Sequence, residues 1–194
     1  MAMAYILDFA GGTLAQYDEV LEKMELGGRL PAGALFHAAG VNGDGLRVCD
    51  VWESEEAFQA FAGSKIGPLT EEVGLPRPEV RSFEAAQVRG TGDRSVEFVQ
   101  VVTVPGLDGD AFRRLDHRVL APSGEVPEAC VYHVNGKLGD GWCVLDYWSS
   151  RSAREAFMQS RVGPAVAASG IDAEPVIEEL TVHNSLTAAA PAGV

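Results

Sequence analysis

Apolar and polar positions along the chain predict a series of strands and helices, and the same series then recurs. Short apolar runs that end at Gly or Pro are typical of strands. Stripes of apolar residues every three or four positions, preceded by Ser, Thr or Asp, are typical of capped helices. The predicted elements of the first copy are a strand at residues 4–9, a helix with the capping box Thr13/Gln16, hairpin strands at 34–39 and 46–52, a helix capped by Ser54, a short helix at Pro68 and a strand at 79–85.

The second copy becomes visible when the chain is shifted by 96 positions, which places His37 on His133 and Trp52 on Trp148. Between residues 37 and 74, 16 of 38 positions are identical without a gap. Upstream the shift is 95 positions, and the helix of the second copy is capped by Asp108. The sequence therefore predicts a tandem duplication.

The order β-α-β-β-α-β predicts an α+β fold in which each copy is a ferredoxin-like repeat with an antiparallel sheet and helices on one face. The other sheet face needs cover, so we expect the two sheets to pack face to face as an intramolecular dimeric α+β barrel. The predicted boundaries are a first repeat at 1–88, a linker at 89–96, a second repeat at 97–186 and a disordered tail at 187–194. The chain is expected to be a monomeric pseudo-dimer, with a further homodimer left open.

Charge and composition exclude several classes of function. The net charge is −13 and no basic run occurs, which disfavours nucleic acid and an anionic membrane surface as partners. The start of the chain lacks a basic segment and no apolar run is long enough to span a bilayer, so we expect a cytoplasmic protein. Cys49, Cys130 and Cys143 lack CxxC spacing and are interpreted as small buried residues.

Candidate chemistry lies on the hairpin strands, where His37 with Asp50, and His133 with Asp146, occupy matching positions. Polar residues inside apolar strands need partners when buried. One interpretation is that each His is an imidazole base oriented by its Asp. The other is that each pair only satisfies its own hydrogen bonds and fixes the hairpin.

Aromatic side chains near these pairs are candidates for stacking on a ligand. Alternation along the third strand places Trp52 beside Asp50 and Trp148 beside Asp146, as the wall of a cavity. By the same reasoning Cys49, Val51, Cys143 and Leu145 face the other way and are expected to pack under the helices. The second copy is richer in aromatic residues here, and the predicted substrate-binding set is Trp52, Trp148, Tyr147, Trp142, Phe36 and Tyr132.

Familiar catalytic and cofactor-binding motifs are absent from the sequence. The sequence contains no HExxH, no P-loop and no GxSxG. A metal site would require His37 and His133 to meet. His117 has the residue type of a haem ligand but has no counterpart in the first copy. We therefore expect no metal and no organic cofactor.

The stretch Val48-x-Asp50-x-Trp52-x-Ser54-x-x-Ala57-x-x-Ala60-Phe61 resembles the antibiotic-biosynthesis monooxygenase family of the dimeric α+β barrel superfamily. So do Tyr17-Asp18-Glu19-Val20 with Leu30-Pro31-Ala32-Gly33, and the second copy from Val144 to Phe157. The resemblance implies a barrel that acts on small molecules. Known tasks in that superfamily include cofactor-free oxygenation of polyketide anthrones, cyclisation or isomerisation, haem breakdown and binding alone.

These observations favour a cofactor-independent, monooxygenase-like enzyme of secondary, polyketide-like metabolism that acts on a hydrophobic or aromatic molecule. The alternatives are a cyclase or isomerase with a His base, a binding module without turnover, and a structural or regulatory protein whose cavity is filled by side chains. An enclosed void of a few hundred cubic ångströms would separate the last alternative from the others.

Overall fold

The computed structural model describes residues 1–90 and 94–187, which form a mixed α+β fold with antiparallel strands, as expected. None of the helices in these residues is long and apolar enough to cross a bilayer. The elements are, in chain order, β1 (Met3–Phe9), α1 (Leu14–Met24), β2 (Ala34–Asn42), β3 (Gly45–Trp52), α2 (Glu55–Phe61), α3 (Gly67–Glu72), β4 (Glu79–Glu84), β5 (Gln87–Arg89), β6 (Phe98–Val104), α4 (Gly109–Leu120), β7 (Cys130–Leu138), β8 (Gly141–Trp148), α5 (Arg151–Phe157), α6 (Gly163–Ala167) and β9 (Val176–Thr187).

The chain divides into two compact units. Unit 1 consists of Met1–Glu84 and the described residues from Leu180 onward, and its strand order is β4-β1-β3-β2-β9. Unit 2 is Ala85–Glu179, where the order is β6-β8-β7-β5. In each unit a π-helical turn, Ala62–Ile66 or Met158–Val162, joins the two short helices that follow the hairpin.

Strand register is the same in the two units. Across β1 and β3, Tyr5 is opposite Asp50 and Leu7 is opposite Val48. Across β6 and β8, the equivalent pairs are Gln100 with Asp146 and Val102 with Val144. Residues at these matched positions can therefore be compared directly between the units.

Local sequence signals explain where the elements begin. The predicted capping box is present, because Thr13 accepts from the Gln16 backbone N–H while the Gln16 side chain accepts from that of Thr13. Asp108 caps α4 by accepting from the Ala111 backbone N–H at 2.8 Å. Each hairpin turns at a glycine with positive φ, Gly43 at 60° and Gly139 at 61°, a conformation that favours glycine.

The helix-facing side of β3 differs from the expected one. Trp52 packs against Phe58 of α2 and against Phe61, with ring centroids 5.7 and 5.5 Å apart. The face that carries Asp50 and Trp52 is therefore the one that lies under the helices, and the prediction that Cys49, Val51, Cys143 and Leu145 pack there is wrong. Every residue of β3 is buried, so alternation in polarity could not distinguish its two faces.

Two predicted irregular segments contain regular structure at their edges. Arg89, the first residue of the expected linker, ends β5, and Thr187, the first residue of the expected tail, pairs with Phe36 of β2. Residues 91–93 of the linker and 188–194 of the tail lie outside the described residues. Face-to-face packing of the two sheets stays a prediction.

Candidate active site

Unit 2 contains a partly open cavity of about 480 Å³ between its helices and the face of its sheet. This volume is in the range of small-molecule sites. Most of the wall is apolar, including Val102 of β6, Leu115 of α4 and Val144 of β8. The polar side chains among the described lining residues are Gln100, Asp116, His133 and Asp146, with the thiol of Cys130.

The predicted pair His133 and Asp146 forms one part of the polar wall. The two residues are opposite each other on β7 and β8, and His133 Nδ1 lies 2.6 Å from Asp146 Oδ1. Side-chain exposure is 9% for His133 and 14% for Asp146, so both side chains are largely buried but still reach solvent. A carboxylate and an imidazole in an apolar cavity can bind or move a proton of a ligand.

A hydrogen-bonded chain that the sequence did not predict holds the other side of the His133 ring. Asn135 Nδ2 lies 2.9 Å from His133 Nε2 and 3.2 Å from Gln87 Oε1, while the Trp142 indole N–H donates to Asn135 Oδ1 at 3.2 Å. In the repeat alignment Asn135 and Trp142 replace Ala39 and Leu46. The differences between the two copies at these positions could therefore have pointed to a polar partner for His133 in the second copy.

Strand β5 carries an arginine that pairs with a charged lining residue of the cavity. Arg89 lies opposite His133 in the sheet, and its guanidinium contacts Asp116 of α4 at 2.9 Å. Because Asp116 lines the cavity, this ion pair supplies part of the polar wall. Sequence reasoning missed it because residue 89 was assigned to a linker.

Cys130 also contacts the pair, with Sγ 3.8 Å from Asp146 Oδ1. Burial, reinforced by the neighbouring Asp146 carboxylate, raises the pKa of this thiol well above its usual value. Cys130 is therefore a neutral thiol in the wall, which is not suited to act as a nucleophile.

Unit 1 contains the matching pair with a different partner. His37 Nδ1 lies 2.7 Å from Asp50 Oδ1, and the Tyr17 hydroxyl lies 2.6 Å from His37 Nε2. Asn184 Nδ2 donates to the same hydroxyl at 2.9 Å. Burial raises the pKa of Tyr17, so the phenol keeps its proton and donates a hydrogen bond to His37 Nε2.

The cavity of unit 1 is nearly filled, at about 70 Å³. Tyr5 stacks on Phe58 with ring centroids 3.8 Å apart, whereas the equivalent positions in unit 2 are Gln100 and Arg154, which hydrogen-bond to each other. Leu7 likewise corresponds to the smaller Val102. The larger cavity of unit 2 therefore follows partly from smaller or polar side chains at matched positions.

The structure brings only two of the six predicted substrate-binding residues to a cavity wall, Trp52 in unit 1 and Trp148 in unit 2. Trp142 instead stacks on Phe112, a lining residue, at 5.3 Å. Tyr132 and Tyr147 pack edge to face on each other, and Phe36 is fully buried; none of these three is among the described lining residues. In residues 1–90 and 94–187, no group of three or more His, Cys, Asp or Glu side chains could hold a metal ion.

No protein-family model and no curated protein sequence matches this chain. Among solved structures, it is similar to a candidate monooxygenase from Lactobacillus acidophilus NCFM, with 15% identity, a TM-score of 0.72 and 96% of each chain covered. A candidate monooxygenase from Fusobacterium nucleatum subsp. nucleatum ATCC 25586 has 8% identity and a TM-score of 0.72, over 96% of this chain and 94% of that chain. An anthrone oxidase-like protein has 18% identity and a TM-score of 0.51, over 96% and 93% of the two chains.

These identities are low, so the similarity concerns the fold. The chain has the α+β fold of these monooxygenase-like structures.

Proposed function

We propose that this protein is a cofactor-independent, monooxygenase-like enzyme that oxidises a hydrophobic aromatic molecule in the cavity of unit 2. The observation that carries the proposal is the apolar cavity of about 480 Å³ with the His133–Asp146 pair in its wall. An apolar wall with a few converging polar groups is the usual form of a small-molecule site. Unit 1, with about 70 Å³, has a scaffold role.

The proposed reaction begins when the pair removes a proton from an activated CH₂ group of the substrate. The electron pair stays on the substrate as a delocalised carbanion, which dioxygen oxidises. For a substrate R–CH₂–R′, the balance is R–CH₂–R′ + O₂ → R–CO–R′ + H₂O. Dioxygen is the oxidant and the substrate supplies the electrons, so this balance requires neither a metal nor an organic cofactor.

The proposal includes the evolutionary origin of the chain. Matching register, matching His–Asp pairs and the identity of 16 of 38 aligned residues support a duplicated ferredoxin-like unit. The residue motifs and the names of the similar structures support membership of the antibiotic-biosynthesis monooxygenase-like family, and a role in polyketide-like secondary metabolism.

A binding module without turnover is the second candidate. It is favoured by one observation, that both ring nitrogens of His133 already have hydrogen-bond partners. A cyclase or isomerase would share the first proton transfer and would consume no dioxygen. Oxygen uptake therefore separates these three functions.

The test uses anthrone, a tricyclic ketone with an activated CH₂, in air-saturated buffer. We expect the wild-type protein to accelerate both oxygen uptake and the appearance of anthraquinone above the spontaneous rate. Binding is measured separately with N-phenyl-1-naphthylamine, a neutral dye that fluoresces in apolar surroundings, in competition with anthrone.

A matched pair of variants locates the reaction. Leu115→Trp places an indole in the cavity, and Arg114→Trp places the same group on the exposed side of the same helix. We expect the first variant to lose both dye binding and turnover, and the second to keep both. Dye binding and anthrone competition without accelerated oxygen uptake would favour the binding module, and no binding at all would refute the proposed site.

A further inference from the structure

Within the His133–Asp146 pair, we infer that the group which accepts the substrate proton is Oδ2 of Asp146, and that His133 is a positioning residue held in one tautomer. This assignment rests on the proposed function and reverses the roles expected from the sequence. It depends on the hydrogen-bond directions along one chain of side chains.

The direction begins at Trp142, because an indole N–H can only donate. Asn135 Oδ1 must accept from it, so Asn135 Nδ2 is the atom that faces His133. Asn135 is fully buried, and its second N–H donates to Gln87 Oε1. The amide is thus fixed in one orientation.

The state of the His133 ring follows from the orientation of Asn135. An amide N–H donates to Nε2 at 2.9 Å, so Nε2 carries no proton in the resting protein. The ring proton is on Nδ1 and is donated to Asp146 Oδ1 at 2.6 Å. Protonation of Nε2 would set two N–H groups against each other and break the bond to Asn135.

The hydrogen bonds of Asp146 leave one of its carboxylate oxygens, Oδ2, available to a ligand. Its Oδ1 accepts from His133 and from the Cys130 thiol, whereas Oδ2 has no hydrogen-bond partner among the described residues. The carboxyl lines the cavity and its side chain is 14% exposed. It is therefore the basic oxygen that a ligand can reach without breaking a protein hydrogen bond.

The step moves one proton from an acidic C–H or O–H of the ligand to Asp146 Oδ2, and the electron pair stays on the ligand. His133 stabilises the carboxylate before transfer through its Nδ1–H bond to Oδ1. The ligand class follows: an apolar ring system with one acidic hydrogen that points at β8.

Deprotonation can be measured apart from oxidation by following hydrogen–deuterium exchange at the CH₂ of anthrone, in D₂O under nitrogen, by ¹H NMR. We expect Asp146→Asn to slow the protein-catalysed exchange by about 100-fold or more, the usual effect of removing a general base. His133→Gln is expected to slow it by about tenfold or less, because a Gln amide can still donate to Oδ1. Asp50→Asn, the same change at the matched position of unit 1, should have no effect.

Dye binding by N-phenyl-1-naphthylamine shows whether each variant keeps the cavity. A loss in His133→Gln as large as that in Asp146→Asn would overturn the assignment while leaving the proposed function intact. A wild-type protein that binds the dye but catalyses no exchange would instead remove the proposed chemistry, and this assignment with it.

The tautomer of His133 can be measured directly in the wild-type protein, with Asn135→Ala as the comparison. ¹⁵N NMR of the histidine ring should show His133 with a protonated Nδ1 and an unprotonated, hydrogen-bonded Nε2. Asn135→Ala should shift the Nε2 resonance and leave the fold unchanged. A resting His133 with a protonated Nε2 would overturn the assignment.

Discussion

Introducing the same residue at one matched position tests whether the two units differ in free space. Val102 of unit 2 and Leu7 of unit 1 lie opposite equivalent valines, and each lines the cavity of its own unit. Val102→Phe adds four carbons to the wall of a cavity of about 480 Å³, whereas Leu7→Phe adds three carbons to the wall of a cavity of about 70 Å³.

The expected free-energy changes have opposite signs. Four carbons at about 0.8 kcal/mol each give a ceiling of about 3 kcal/mol for Val102→Phe. Ordering of the ring and imperfect fit reduce this to a gain of roughly 1.5 kcal/mol. Leu7→Phe should instead destabilise the protein by about 1–3 kcal/mol, because an already filled site must distort to accept it.

Thermal unfolding and dye titration measure both effects. At roughly 2–4 °C per kcal/mol for a chain of this size, Val102→Phe should raise Tm by about 3–6 °C and Leu7→Phe should lower it. Only Val102→Phe should weaken the binding of N-phenyl-1-naphthylamine. A fall in Tm of equal size in both variants, with dye binding unchanged, would refute the reasoning from cavity volume.

Two further predictions concern unit 1. Burial alone would raise the pKa of Asp8, but its hydrogen bonds and ion pairs with Arg47 and Arg81 hold that pKa below its usual 3.8. The stabilisation of the fold by these ion pairs is therefore fully present above the pKa of Asp8 in the unfolded chain. It is lost as the pH falls through the pKa of Asp8 in the folded protein. Asp8→Asn should therefore cost about 2–3 kcal/mol in urea unfolding at pH 7 and less below about pH 4, and an equal cost at both pH values would contradict this. Tyr17→Phe introduces the residue that unit 2 has at the matched position, Phe112, and should lower the free energy of unfolding by about 1–2 kcal/mol because it removes the hydrogen bonds to His37 and Asn184. The affinity for the dye should not change, and a weakened affinity would indicate that the dye does not bind in unit 2.

Local features of the fold could be predicted from the sequence because they depend on neighbours in the chain. The caps at Thr13 and Asp108 and the turn at Gly43 are of this kind. Pairing of His133 with Asp146 was also predictable, since hairpin register places them opposite each other.

Features that depend on distant side chains were not predictable in this way. Tyr17 belongs to the sequence motif Tyr17-Asp18-Glu19-Val20, and nothing in that motif reveals that its hydroxyl reaches His37. The size of each cavity depends on the summed volumes of its lining side chains, such as Leu7 in unit 1 against Val102 in unit 2. β5 is three residues long, too short to give a periodic signal.

Whether the cavity of unit 2 is the substrate site is tested most sharply by a crystal structure of the protein with anthrone, prepared under nitrogen so that the substrate is not oxidised. We expect one anthrone molecule per chain, in the cavity of unit 2, with its CH₂ group nearest to Asp146 Oδ2. Anthrone bound in unit 1, or a cavity of unit 2 that stays empty at saturating anthrone, would contradict it.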